Sequence, residues 1–137
     1  MSRAVASSQR PPRSYLAFDF GTRRVGVATG NALTGTATPL TTLSAQGETL
    51  LAAIAALIDS WRPDALVVGV PFHPDGAAHA STARARRFAR SLGARFGLPV
   101  HEVDERYTTT DAKRAGAPDL DAAAAAIILE QHLASTP

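Results

Sequence analysis

The stretch at 65–70, Ala-Leu-Val-Val-Gly-Val, limits the fold more than any other part of the chain. No polar side chain interrupts it between Arg62-Pro63-Asp64, which breaks a helix, and the loop Pro-Phe-His-Pro-Asp-Gly. A strand without polar alternates has no face to show to water, so it belongs at the centre of a sheet covered on both sides. The cover must come from helices. Leu50, Leu51, Ile54, Leu57 and Ile58 predict one over 48–60. A second is expected over 80–96, and a third over 121–133, announced by Pro118 and Asp119.

The other strands follow from local signals. Residues 15–20 read as a first strand, Gly21-Thr22 as a tight turn, and 25–29 as a strand pairing back. A third strand is expected over 37–43, with Pro39 placing it at a sheet edge. Val100 to Val103 is a last short strand. The order β-β-β-α-β-α-β-α implies an α/β fold: a mixed central sheet, opened by an antiparallel meander and flanked by helices. The 137 residues suit one domain at 14–137 behind an Arg-, Ser- and Pro-rich lead-in at 1–13, expected to be disordered. No run approaches the ~18 apolar residues of a membrane span, so no membrane partner and a cytoplasmic location are expected. The absence of cysteine excludes disulfides and thiolate metal sites.

Four acidic residues stand at predicted element ends. Asp19 interrupts the first strand's apolar run just before its turn, Asp104 and Glu105 follow the last strand, and Asp121 opens the alanine-rich helix. Strand ends are where α/β sheets hold ligands. Carboxylates converging there repel one another unless a cation lies between them, and oxygen-only donors suit a hard ion such as Mg²⁺ or Mn²⁺. A pair of such ions ~3.5–4 Å apart can drive phosphodiester hydrolysis. Each acid alone also has an ordinary role: Asp19 as a turn cap, Asp121 as a helix N-terminal charge, Asp104 and Glu105 as solvated loop charges.

The segments FDFGTRRVGVAT, VVGVPFHPDG, VDERYTTTDA and LDAAAAAIILEQHL together resemble the four signature blocks of the YqgF family, over about residues 14 to 134. The resemblance implies an RNase H-like fold and a nuclease, either one processing the 5′ end of pre-16S ribosomal RNA or a Holliday-junction resolvase. It implies metal ligation by Asp19, Glu105 and Asp121, with Asp104 as a fourth carboxylate in the catalytic set. The expected partners are structured RNA (pre-rRNA or the ribosomal precursor particle) or branched DNA, met by a monomer or a homodimer. Two departures from the family pattern stand out. The segment between Arg106 and Asp121 is short, and Asn31 stands where the family often has an aspartate.

Around the acids lie candidate phosphate contacts. Arg23 and Arg24 occupy the turn after Asp19, and Arg106 follows the acidic pair. On the second helix Arg86, Arg87 and Arg90 lie opposite an apolar stripe, with no acid in the same stretch to neutralise them. Such a face suits a phosphate backbone, although net charge is only +2. His101 and His132 read as structural, and Trp61 as packed at a helix end.

Two other functions fit parts of the pattern. Actin- and sugar-kinase-type proteins also follow D-x-G-T with a β-turn to hold ATP phosphates, but need a second similar domain for which 137 residues leave no room. A non-catalytic RNA-binding protein would need the arginines but not all the acids.

Overall fold

A computed structural model describes residues 12–73, 75–78, 80–105 and 120–135. Strand β1 (Ser14–Phe20) turns at Gly21 and pairs antiparallel with β2 (Val25–Asn31), which pairs antiparallel with β3 (Thr36–Leu43). Helix α1 (Gly47–Trp61) returns the chain to β4 (Ala65–Pro71), parallel to β1. Helix α2 (Thr82–Phe96) leads to β5 (Val100–Glu105), parallel to β4, and α3 (Leu120–Ser135) closes the described chain. The sheet order is β3-β2-β1-β4-β5. Pro39 lies on edge strand β3, opposite a register shift at Val27/Ala28, where its missing N–H breaks no interior ladder.

Strand alternation divides the core. Leu16, Phe18, Val25, Val27, Leu66 and Val68 point to one face, under Leu50 and Ile54 of α1 and Phe88 and Leu92 of α2. Tyr15, Ala17, Ala65 and Val67 point to the other, against Ile128 and Leu129 of α3. Ala28 meets Ala125 and Ala126 there, and these small residues let α3 sit close to the sheet. Each large side chain wholly withdrawn from water contributes about 1.5–3 kcal/mol before entropy is charged, so the twelve largest, from Phe18 to Val70, dominate the cohesion.

Three expectations change. Asp104 and Glu105 are not loop residues: β5 runs through them, pairing with Val70 and Pro71, because β4 offers free ladder positions that far. Arg13 is tied in, not part of a loose lead-in; its N–H donates to Asp64 Oδ2 at 2.9 Å and its carbonyl accepts from the Ala32 N–H at 2.7 Å. The rest of that lead-in, 1–11, lies outside the described residues. Trp61 is not packed away but 46% exposed, since α1 ends there with Arg62 in the left-handed region (φ 49°).

Candidate active site

Asp19 sits between two glycines on neighbouring strands. Across the antiparallel pair its partner is Gly26 of β2. On the other side the β1–β4 register, Phe18 against Val68, brings Asp19 level with Gly69 in the next step. Residues level across a sheet point to the same face, and here it is the α3 face.

Both glycines are covered by other parts of the acidic set. A Cβ on Gly26 would lie 1.8 Å from the carbonyl oxygen of Asp121, so the first turn of α3 rests on the bare backbone of β2. A Cβ on Gly69 would lie 2.7 Å from Glu105 Oε2 and 2.4 Å from Ile128 Cδ1. The Glu105 carboxylate therefore lies over β4 while Asp121 starts over β2, with Asp19 between them on β1. Glu105 is only 7% exposed, beside Thr82 the one buried polar or charged residue among those described. A carboxylate so withdrawn from water is costly unless partnered. Glycine inside a strand is the sequence sign of close approach; it identifies Gly26 and Gly69 as part of the site, which carboxylate spacing alone does not.

The remaining candidates fall in different places. Asp121 directs its carboxylate to Arg24, with Nε 3.1 Å from Oδ2, so Arg24 is a partner of the acidic set. Gly21 allows this turn: its N–H donates to the Arg24 carbonyl at 3.0 Å, and a Cβ would meet that oxygen at 2.7 Å. Arg23 is exposed in the same turn. Asp104 is one step from Glu105 on β5, so it points to the opposite face, with Glu102 on the α2 side. Among the described residues no three acids or histidines are placed to hold one metal ion together. Asp121 is turned to Arg24, while Glu105 lies over Gly69 on the sheet face that carries Asp19.

The arginines of α2 are partly compensated, contrary to expectation, because their partners come from other elements. Arg86 Nε lies 3.4 Å from Glu102 Oε1 of β5 and its guanidinium stands 5.2 Å over the Phe72 ring. Arg95 pairs with Glu48 of α1 at 3.1 Å, and that contact holds the Glu48 carboxyl below its usual range. Arg87 and Arg90 are exposed, and among the described residues neither forms an ion pair. Arg106 and the short segment before Asp121 lie largely outside the described residues, which resume at Leu120. His101 and His132 do pack as a pair, ring centroids 4.8 Å apart, with His132 also edge-on to Tyr15 at 5.2 Å.

Residues 13–135 match the family model of RuvX, described as Holliday junction resolvase. The chain belongs to the RuvX family. It is an enzyme, a nuclease by that membership. A relative from Polaromonas sp. (strain JS666), named "Putative pre-16S rRNA nuclease", is 62% identical over 125 residues, 91% of each chain. One of the same name from Paraburkholderia phytofirmans is 54% identical over 127 residues, 88% of this chain and 87% of its own. Among solved structures, Thermus thermophilus RuvC in complex with a Holliday junction superposes with a TM-score of 0.59 at 17% identity, over 88% of this chain and 93% of its own. That likeness establishes the RNase H-like fold. In this chain the glycine–aspartate–glycine row is what lets α3 and Glu105 close on the sheet face that carries Asp19.

Proposed function

We propose that this nuclease is a divalent-metal-dependent endonuclease that processes the 5′ end of pre-16S ribosomal RNA in the cytoplasm. The observation that carries the proposal is the row Gly26–Asp19–Gly69, with the Asp121 backbone on one glycine and the Glu105 carboxylate on the other. It supports a seat for Mg²⁺ or Mn²⁺ on the donor chemistry: hard carboxylate oxygens on neighbouring strands of one sheet face, and a backbone cradle that any side chain would fill. Asp19, Glu105 and Asp121 are the residues that would hold the ion, Asp121 by leaving Arg24. The ion supplies Lewis acidity toward a phosphate oxygen and lowers the pKa of an attacking water.

The protein's own groups do the rest. Asp19 is paired with Gly26 on a strand interior to the sheet, so its backbone is held in place before reaction and little ordering remains to be done. Arg24 sits 3.1 Å from Asp121 and can turn to a phosphate when that carboxylate is engaged elsewhere. Arg23 adds a second exposed cation in the same turn. The RNA reading rests on the relatives' name. The family description and the RuvC likeness favour branched DNA as the second reading.

One panel separates them: purified protein with Mn²⁺ and a precursor rRNA fragment, a four-way DNA junction, a duplex and a single strand. Cleavage of the precursor alone is expected, and preferential resolution of the junction would reverse the assignment. Asp19→Asn keeps shape and removes one charged ligand. Its cleavage should fall at least ~10²-fold with folding retained; a folded variant with wild-type activity would exclude the metal seat.

A further inference from the structure

The core-facing positions of β2 change character along the strand. Val25 and Val27 are buried under the helices, but the next two on the same face are Thr29 and Asn31. Their partners on β3 are Thr38 and Thr36. Beyond the last apolar row, the end of α1 therefore stands over hydroxyls and a carboxamide. Between them lies a cleft of about 300 Å³, with Trp61 and Pro63 as its other wall. It is at the far end of β1 from Asp19 and on the opposite face of the sheet.

The lining specifies a ligand chemistry. Among the described residues no carboxylate, imidazole or amine lines the cleft, and its walls are hydroxyls, a carboxamide and an indole. The volume is at the small end for ligand sites. One wall is an indole, 46% exposed, which offers a flat face for stacking. The floor offers in-plane partners. Asn31 Oδ1 accepts the Leu33 N–H at 2.8 Å, which orients the carboxamide and leaves its two N–H donors for a ligand. Thr38 adds a hydroxyl. A planar ring with polar edges matches both walls. Two arginines adjoin lining residues along the chain: Arg62 follows Trp61, ion-paired with Asp59 at 3.6 Å, and Arg13 precedes Ser14. Asp64, the nearby acid, is engaged by the N–H groups of Arg13 and Ser14 at 2.9 and 3.1 Å.

We propose that this cleft binds one unpaired base of the RNA strand, stacked on Trp61 and read at its edge by Asn31 and Thr38, as a second contact remote from the scissile phosphate. The proposal rests on the RNA-nuclease reading but not on the metal seat. Stacking on a protein aromatic is worth about 1–3 kcal/mol per base, or roughly 5- to 150-fold in affinity. A single-stranded extension beyond the cut would thus be held on the back of the sheet.

Trp61 is the chain's only tryptophan, so its fluorescence reports this site alone. The experiment titrates hexauridylate and hexaadenylate, with EDTA present to keep them intact, and follows Trp61 emission alongside anisotropy of a labelled oligonucleotide. Saturable quenching that tracks the anisotropy is expected. Trp61→Ala should weaken binding at least ~5-fold, Thr38→Val less, and Trp61→Phe should keep most of it. Because Trp61 is half exposed, these variants should fold. Oligonucleotide binding that leaves Trp61 emission unchanged would overturn the proposal while leaving the nuclease assignment intact. Quenching by AMP or UMP as strong as by the hexamers would make the cleft a free-nucleotide site and overturn it too. No binding by either signal overturns it as well, and the Asp19→Asn cleavage comparison then decides separately whether the metal seat stands.

Discussion

Gly26 shows how one missing side chain places a candidate site residue, Asp121. Alanine there would put a methyl 1.8 Å from the Asp121 carbonyl oxygen, a backbone atom that cannot swing aside. Gly26→Ala must push α3 off the sheet, at an expected cost of about 1–3 kcal/mol or more. The thermal midpoint should drop by at least ~4 °C. Cleavage measured well below that midpoint should fall further than the folded fraction does, because Asp121 moves with the helix. At the other end of α3, burial and the neighbouring His101 hold the His132 imidazole below its ordinary 6.5. The groups around it are His101 on β5 and Tyr15 on β1, whose own hydroxyl burial keeps protonated. The folded protein therefore binds fewer protons than the unfolded chain between the lowered value and ~6.5. The stability this provides is complete above ~6.5 and drains away as pH falls through that window. Melting curves from pH 7.5 to 5 should show this acid loss, and His132→Gln should flatten it.

At the scale of the element, α2 is an interface in three directions. Its apolar stripe enters the core, Arg95 reaches α1, Arg86 reaches β5, and Arg87 and Arg90 face solvent. Exposed pairs of this kind add little to stability, so they orient the helix more than they hold it. Arg87 and Arg90, in no ion pair among the described residues, are available to phosphates; Arg84 reaches only the Ser81 hydroxyl, at 3.3 Å. Arg87→Ala with Arg90→Ala should weaken nucleic-acid binding similarly across sequences and reduce the salt slope by ~2 units on a duplex. Arg86→Ala, which also releases Glu102, should change the slope by less. Filter binding from 50 to 300 mM salt distinguishes the two, and equal slopes in all three proteins would return the helix face to plain solvation.

For the whole molecule, the two cores close without any ion, since none of their residues is a metal candidate. Metal removal should abolish cleavage yet leave the protein folded. Added Mg²⁺ should raise the thermal midpoint by mass action, about 1.4 kcal/mol at ten times the dissociation constant, and should do so for wild type but not for Asp19→Asn. Strand and helix order, the edge position of Pro39 and the family were legible in the sequence, because apolar periodicity and motif spacing are properties of the chain itself. The reach of β5 to Glu105 was not, since a strand's end depends on the length of its neighbour. Nor was the division of Asp104 from Glu105 onto opposite faces, which follows only once both are known to be in a strand. The pairing of Arg86 with Glu102, sixteen positions away, needed β5 laid beside α2. Which acids and arginines the chain carries is a matter of sequence; that Asp121 and Glu105 come down on either side of Asp19 was decided by the tertiary structure, at two glycines whose missing side chains leave room for a helix and a carboxylate.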